Sequence, residues 1–202
     1  MCAEGQSCRA RRRNSSTPEQ YLEIERAAEH KSEYCNGEMF AMSGARRKHN
    51  LIQTNIIREL GQPLRDQPWE AYPSGMRVQI RATGLYTYPD AVVVCGGPVF
   101  RDDREDTSLN PTLIIEVLSP STEKYDCGQK WEHYQKIESL RHYLLVNSDR
   151  VRADLFTLPT GRTGTSNRED TIELEAIHCR LKPADVYEKV KFEPQPLRPQ
   201  NL

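Results

Sequence analysis

Two carboxylates lie in apolar runs of the sequence, and they constrain the fold more than any other feature. Asp90 stands inside the run of residues 88–95, and Glu116 stands inside the run of residues 113–118. Short apolar runs of this kind are typical of buried strands. An unpaired buried carboxylate is costly to desolvate, so it is normally paired, protonated or bound to a cation. The sequence therefore predicts two adjacent buried strands whose carboxylates share one divalent metal ion.

The composition is that of an ordinary globular chain. Its 202 residues are 37% hydrophobic and 28% charged, which suits one domain with a sizeable core. A net charge of -1 argues against a non-specific electrostatic binder of nucleic acid, although it permits a local basic cleft. No apolar stretch approaches the roughly 20 residues that span a bilayer. We expect no membrane partner.

The cysteines and the N-terminus indicate the compartment. The six cysteines contain no CxxC pair, so zinc-ribbon spacing is missing. The first 16 residues are polar and basic, unlike a signal peptide. We therefore expect a reduced, cytoplasmic protein.

The order of patterns predicts an α/β (α+β) fold with a mixed central sheet flanked by helices. We expect residues 1–16 to be a disordered basic leader, residues 17–192 a single domain, and residues 193–202 a disordered Pro-rich tail. Thr17, Pro18 and Gln20 predict a capped N-terminal helix that runs to about residue 28.

Further elements follow from turn signals and periodicity. Asn36-Gly37 predicts a β-hairpin with short flanking strands. Helical spacing appears at residues 49–65 and 126–137, and a short closing helix is predicted at residues 183–190. The remaining strands are predicted at residues 76–80, 142–146, 151–158 and 171–177, with a Gly/Thr/Ser-rich loop joining the last two.

Asp90 and Glu116, with backbone carbonyls and water, offer the hard oxygen ligands that Mg²⁺ or Mn²⁺ prefers. Such an ion binds a scissile phosphate and lowers the pKa of an attacking water. Asp126, Lys130 and Tyr134 are spaced by four and share one helical face, from which Lys130 could offset charge developing on phosphorus. An ordinary exposed ion pair between Asp126 and Lys130 explains the same spacing.

Two further residues are supporting candidates. His49 stands at a predicted helix start after three basic residues, and Glu38 follows the Asn36-Gly37 turn. A histidine without chemistry and a glutamate facing solvent are the respective alternatives. Residues 121–124 match the Ser-x-x-Lys nucleophile motif, but the accompanying Ser-Asp-Asn and Lys-Thr-Gly elements are missing. No Gly-x-Gly-x-x-Gly motif indicates a dinucleotide site.

Three ordered segments resemble one known family. Residues 88–90 (Tyr-Pro-Asp), 110–122 (Asn-Pro-Thr-Leu-Ile-Ile-Glu-Val-Leu-Ser-Pro-Ser-Thr) and 125–134 (Tyr-Asp, then Lys and Tyr) are similar to the Uma-two (Uma2) family of restriction-endonuclease-like proteins. That family is assigned to the PD-(D/E)XK nuclease superfamily. Residues 33–50 also resemble it, and the similarity spans about residues 17–192. The resemblance implies a four-stranded mixed core sheet, a Mg²⁺ or Mn²⁺ cofactor and endonuclease action on DNA.

The resemblance also implies roles for individual residues. Asp90 and Glu116 match the two acidic positions, and Val117 completes the implied set of metal-binding positions. The superfamily has a lysine two residues after the second acid, where this chain has Leu118. In this family a lysine on the following helix is thought to replace it, so Lys130 is the implied third catalytic residue.

Other functions stay open. Relatives often carry an acidic residue where this chain has Gly75, and that difference together with Leu118 favours a non-catalytic binding or assembly module that keeps the nuclease fold. An RNA-directed nuclease is a third hypothesis. Enzymes of this fold that cut duplexes often pair two sites through a homodimer, so the resemblance permits a homodimer.

Overall fold

The computed structural model of this protein describes residues 16–120 and 122–192. The predicted leader (apart from Ser16), the predicted tail and Ser121 of the Ser-x-x-Lys match lie outside the described residues. Within the described part of the chain, none of the helices is both long and apolar enough to cross a membrane.

The described residues form five α-helices and thirteen β-strands. The α-helices are α1 (Pro18–Ala27), α2 (Arg47–Leu64), α3 (Glu123–Tyr125), α4 (Trp131–Tyr134) and α5 (Pro183–Val186). The strands are β1 (Ser32–Cys35), β2 (Glu38–Ala41), β3 (Trp69–Pro73), β4 (Arg77–Ile80), β5 (Leu85–Thr87), β6 (Ala91–Cys95), β7 (Thr107–Ser108), β8 (Leu113–Leu118), β9 (His142–Asn147), β10 (Ala153–Thr157), β11 (Gly161–Ser166), β12 (Ile172–Leu174) and β13 (Cys179–Leu181).

The larger sheet has six strands in the order β11-β10-β9-β8-β6-β3. β8 pairs antiparallel with β6 and parallel with β9, which confirms the predicted mixed sheet. All six residues of β8 are buried, as its apolar run predicts. The sheet has two strands more than the four implied by the resemblance.

The core lies on both faces of this sheet. α2 covers one face with the residues that sequence spacing singled out, Ile52, Ile56, Leu60 and Leu64. The opposite face carries Ile114 and Leu118 of β8, packed with Tyr134 of α4. Because strand side chains alternate between faces, Glu116 points to this second face together with Ile114 and Leu118.

A second sheet has five strands in the order β2-β1-β5-β4-β7. Its hairpin β1–β2 confirms the Asn36-Gly37 prediction, since φ is 49° at Asn36 and 93° at Gly37, as a tight hairpin turn requires. The capping box of α1 is also present, because Thr17 and Gln20 bond reciprocally. β1 of this sheet reaches the site described below.

Several predicted elements differ from the structure. The predicted Gly/Thr/Ser-rich loop contains β11, an exposed edge strand that pairs with β10, so it lacks the apolar alternation that marks a buried strand. Residues 175–177 form a 3₁₀ turn rather than the end of a strand. The closing helix ends at Val186, and the helix predicted at 126–137 contains a π-helical turn, Asp126–Lys130, between α3 and α4. β3, β5, β7 and β13 were not predicted.

Candidate active site

Asp90 immediately precedes the first residue of β6 and so lies outside the strand, with 13% of its side chain exposed. Its Oδ2 accepts a hydrogen bond from the Val117 backbone N–H at 2.7 Å and lies 3.1 Å from His49 Nε2. The Gln53 amide donates to the Asp90 carbonyl oxygen at 2.8 Å. Groups from α2 and β8 therefore hold this carboxylate in place.

Glu116 is buried in the middle of β8. Its Oε1 accepts hydrogen bonds from Lys130 Nζ at 3.0 Å and from the Tyr134 hydroxyl at 2.8 Å. Among the described residues both donors contact Oε1, which leaves Oε2 available for another ligand. Burial raises the pKa of Glu116 to about 8; Lys130 opposes this shift, whereas the charges of Asp126 and Asp90 add to it.

Lys130 is the buried cation of the site. Its Nζ lies 3.0 Å from Glu116, 3.1 Å from Glu33 and 3.3 Å from Asp126. Burial by itself lowers the pKa of Lys130, but these carboxylates outweigh it and hold the pKa well above the usual range. The i,i+4 pair of Asp126 and Lys130 is thus present but buried, so the alternative of an exposed surface pair is wrong.

The helical segment that carries Lys130 is irregular. Asp126–Lys130 forms a π-helical turn, a feature that is rare and often found at functional sites. The Tyr143 hydroxyl on β9 donates to the Asp126 carbonyl oxygen at 3.0 Å. This bond ties the wide turn to the neighbouring strand and thereby fixes where Lys130 projects.

Glu33 of β1 belongs to the site, and sequence reasoning did not single it out. Beyond its contact with Lys130, Glu33 accepts hydrogen bonds from the Thr87 hydroxyl and from the Tyr125 hydroxyl, the latter at 3.2 Å. Its side chain is 10% exposed. The available signal was its place in the segment 33–50, which forms part of the family resemblance.

The two supporting candidates lie in different positions. His49 contacts Asp90 directly, and its other ring nitrogen, Nδ1, is buried without a hydrogen-bond partner among the described residues. Glu38 is exposed opposite Cys35 in the hairpin, on the face that also carries Glu33. In the described structure no hydrogen bond or ion pair joins Glu38 to the buried carboxylates.

The site carries more negative than positive charge. Three carboxylates, those of Glu116, Glu33 and Asp126, contact one lysine, and a fourth, that of Asp90, contacts His49. Burying such an excess is unfavourable unless protons or a cation compensate it. The arrangement therefore favours binding of a cation.

The donor set suits a hard cation that keeps part of its water shell. Within residues 16–120 and 122–192 no group of three or more His, Cys, Asp or Glu side chains has the arrangement of a metal cage. Mg²⁺, however, commonly uses only one or two carboxylates plus waters. Because N–H and C=O of an extended residue point to the same side, the Val117 carbonyl faces the Asp90 side and adds a third oxygen.

Known proteins resemble this chain in sequence and in fold. Two proteins of Synechocystis sp. (strain ATCC 27184 / PCC 6803 / Kazusa), named "Uncharacterized protein sll1609" and "Uncharacterized protein slr1290", are each 37% identical to it. The first alignment covers 68% of this chain and 78% of the relative; the second covers 69% and 73%.

The fold similarity extends to a crystal structure from Anabaena variabilis, described as "a putative nuclease belonging to DUF820". It superposes with a TM-score of 0.69 at 17% identity, covering 84% of this chain and 96% of that one. The family profile described as "Uma2: Putative restriction endonuclease" matches residues 18–184. This protein therefore belongs to the Uma2 family of restriction-endonuclease-like proteins.

Proposed function

We propose that this protein is a divalent-metal-dependent endonuclease that hydrolyses phosphodiester bonds in DNA. The observation that carries the proposal is the convergence of Asp90, just before β6, with Glu116 of the adjoining strand β8 and Lys130 of the following helical segment, with an excess of buried negative charge. Membership of the Uma2 family supports a nuclease-like activity.

Asp90, Glu116 and the Val117 carbonyl would hold the ion, Mg²⁺ or Mn²⁺. When bound, such an ion polarises the scissile phosphate and lowers the pKa of an attacking water. The protein's own contribution is to hold these oxygens in place, through the Val117 N–H and His49 at Asp90 and through Tyr134 at Glu116.

Lys130 acts in this proposal as a fixed positive charge rather than as a base. Its carboxylate neighbours keep the amine protonated, so it has no free lone pair with which to accept a proton. A protonated amine beside Glu116 can instead orient water and stabilise negative charge on the transition state. Glu33 and Asp126 position this amine.

The two departures from the superfamily pattern, Leu118 and Gly75, differ in what surrounds them. Leu118 is buried among apolar residues, and Lys130 reaches Glu116 from the following helix, which supports its role as the replacement for the missing lysine. Gly75 lies in the exposed turn between β3 and β4, where an added Cβ would meet no atom within 4 Å. The acid that relatives carry there has no counterpart at this position.

The proposal is tested by cleavage of duplex DNA, single-stranded DNA and RNA in the presence of Mg²⁺ or Mn²⁺. Asp90→Asn and Glu116→Gln are expected to lower the DNA cleavage rate by about 10²–10³-fold or more, since charge stabilisation in the site is lost. Glu173→Gln, which changes an exposed glutamate paired with Arg180, is the matched control. Intact substrates under all conditions, or equal rates for Glu116→Gln and the control, would refute the proposal.

A non-catalytic binding or assembly module is the second candidate. It is favoured by the contact of Lys130 with Glu116, because an amine already neutralises part of the charge that a metal would compensate. Calorimetry with Mn²⁺ separates the two functions. Micromolar binding that disappears in Glu116→Gln supports the enzyme, and no binding at millimolar Mn²⁺ supports the module.

A further inference from the structure

A second charged cavity lies beside the helical segment that carries Lys130. It has a volume of about 230 Å³. Glu123 and Cys127 of the helical segment line one side, and the sheet side includes Leu118, Phe156 and a group of charged residues, Arg150, Arg152, Asp154 and Arg162. We name this space the arginine cavity.

Strand register fixes the distance between the arginine cavity and the candidate active site. Glu116 pairs with Leu145 across β8 and β9, and Leu145 pairs with Asp154 across β9 and β10. Directly paired residues share one face of a sheet, so Glu116 and Asp154 point to the same side. Two strand spacings separate them by about 10 Å.

The arginines of this cavity exceed what its aspartate needs. Arg152 Nε lies 3.0 Å from Asp154 Oδ2, and Arg162 contacts Oδ1 of the same carboxylate. The Arg150 side chain forms no ion pair within the described chain. Three guanidinium groups against Asp154 and Glu123 leave a local charge of +1, in a protein whose formal net charge is -1.

The cavity is also open to ligands. Arg152 and Arg162 keep 35% and 47% of their side chains exposed, whereas Asp154 keeps 16%. Arg152 donates to Asp154 through Nε and Nη2, and Arg162 donates through Nη2 to Asp154 and Thr165. Among the described residues, the Nη1 groups of both arginines make no hydrogen bond. Guanidinium groups bind phosphoryl oxygens through paired N–H donors, with a geometry that lysine does not offer.

We propose that the arginine cavity binds a phosphoryl group, with Arg150, Arg152 and Arg162 as its ligands and Asp154 as the carboxylate that competes with it for two of them. The phosphoryl group comes either from a nucleic-acid strand or from free phosphate. The first source rests on the proposed nuclease function, because a nucleic-acid strand held at Glu116 would pass about 10 Å from the cavity. Binding itself does not depend on cleavage.

The test measures binding by the full-length protein in EDTA, so that cleavage plays no part. The first probe is inorganic phosphate, titrated by calorimetry. Arg150→Gln is expected to weaken phosphate binding about tenfold, because a charge-assisted hydrogen bond is lost. Arg81→Gln, at an exposed arginine in the turn between β4 and β5, is the matched control and should bind like the wild type.

Asp154→Asn gives a result that a merely structural ion-pair network does not predict. Removing this carboxylate releases two guanidinium groups, so phosphate should bind several-fold more tightly even if the variant is less stable. Weaker or unchanged binding in a folded Asp154→Asn variant would overturn the proposal. If that variant does not fold, Arg162→Gln replaces it and should weaken phosphate binding as Arg150→Gln does.

A short single-stranded DNA is the second probe and identifies the source. If Arg150→Gln weakens both phosphate and DNA binding relative to Arg81→Gln, the cavity takes a phosphate of the strand. If only phosphate binding weakens, the cavity takes free phosphate. If both arginine variants bind both probes equally, there is no phosphoryl site, whatever the outcome of the cleavage assay with Glu116→Gln.

Discussion

Lys130 and Arg77 are both buried cations, but their surroundings differ. Lys130 has three carboxylates within 3.3 Å. Arg77 contacts one, Asp106 at 2.9 Å, and its other donors reach the hydroxyls of Thr107 at 2.9 Å and Tyr88 at 3.0 Å. One buried cation is therefore surrounded by surplus negative charge, and the other is matched by a single charge and neutral acceptors.

The difference separates an architectural network from a candidate reactive one. Asp106 also binds Arg26 of α1, so the Arg77 network connects α1 with β4 and the segment leading into β7. Its charges are compensated locally, and it offers no electrostatic reason to bind a ligand. The surroundings of Lys130 remain unbalanced until a proton or a cation arrives, which is consistent with the proposed metal-dependent function.

The largest expected effect is the difference in stability between two variants, each of which neutralises one carboxylate of one network. Asp106→Asn should lower the free energy of unfolding by about 3 kcal/mol, because buried Arg77 loses the one carboxylate that pairs with it among the described residues. Glu116→Gln should not lower it when divalent metal is absent, since Lys130 keeps Glu33 and Asp126. Urea unfolding of both variants in EDTA measures the two changes.

Arg26→Met is the control for this pair, because it removes a partly exposed ion-pair partner of Asp106 and should cost about 1 kcal/mol or less. Equal destabilisation by Asp106→Asn and Glu116→Gln would contradict the distinction between the two networks.

Metal addition should give the next largest effect. A divalent ion that binds only the folded protein stabilises it by about 2.7 kcal/mol at a concentration of 100 Kd. We expect this stabilisation in the wild type and in Asp106→Asn, and its loss in Asp90→Asn and Glu116→Gln. Thermal unfolding with and without Mn²⁺ tests this; equal shifts in all four proteins would place the ion elsewhere.

The smallest effect is the change in stability per pH unit, at most about 1.4 kcal/mol for each group. Burial raises the pKa of Glu116 from 4.5 to about 8. The stabilisation of the folded protein by protonated Glu116 is therefore fully present below pH 4.5 and is lost as the pH rises to 8. Burial alone would raise the pKa of Asp106, but hydrogen bonds from Arg26 and Thr107 and the charge of Arg77 lower it. The stabilisation of the folded protein by ionised Asp106 is therefore present above its ordinary pKa of 3.8 and is lost as the pH falls below that value.

Unfolding in EDTA across this range compares the wild type with each neutral variant. The stability difference between the wild type and Glu116→Gln should fall as the pH rises. The difference from Asp106→Asn should fall as the pH drops. Slopes of the same sign for the two variants would contradict these assignments.

The local part of the site could be predicted from sequence. Apolar runs around Asp90 and Glu116 report burial, and the four-residue spacing of Lys130 and Tyr134 reports a shared helical face. The structure places Asp90 and Glu116 on adjoining strands and brings Lys130 and Tyr134 to the Glu116 carboxylate. Periodicity suffices here because each signal lies within a few consecutive residues.

The remaining features depend on contacts between distant segments. Glu33 reaches Lys130 only because β1 pairs with β5 in the second sheet, and no local pattern around residue 33 encodes that pairing. The π-helical turn is only five residues long, so no spacing of side chains distinguishes it from a regular helix in the sequence. β11 is exposed on an edge, so burial leaves no mark on its sequence.

The wide turn at Asp126–Lys130 has a consequence for how this family member can diverge. Each residue of a helix advances the chain by about 100°, so one deletion or insertion there would rotate every later side chain around the axis. Tyr134 and the amine at position 130 would then leave Glu116 together. Between positions 123 and 134, natural variants should therefore exchange side chains freely at outward positions while keeping the length of the segment constant.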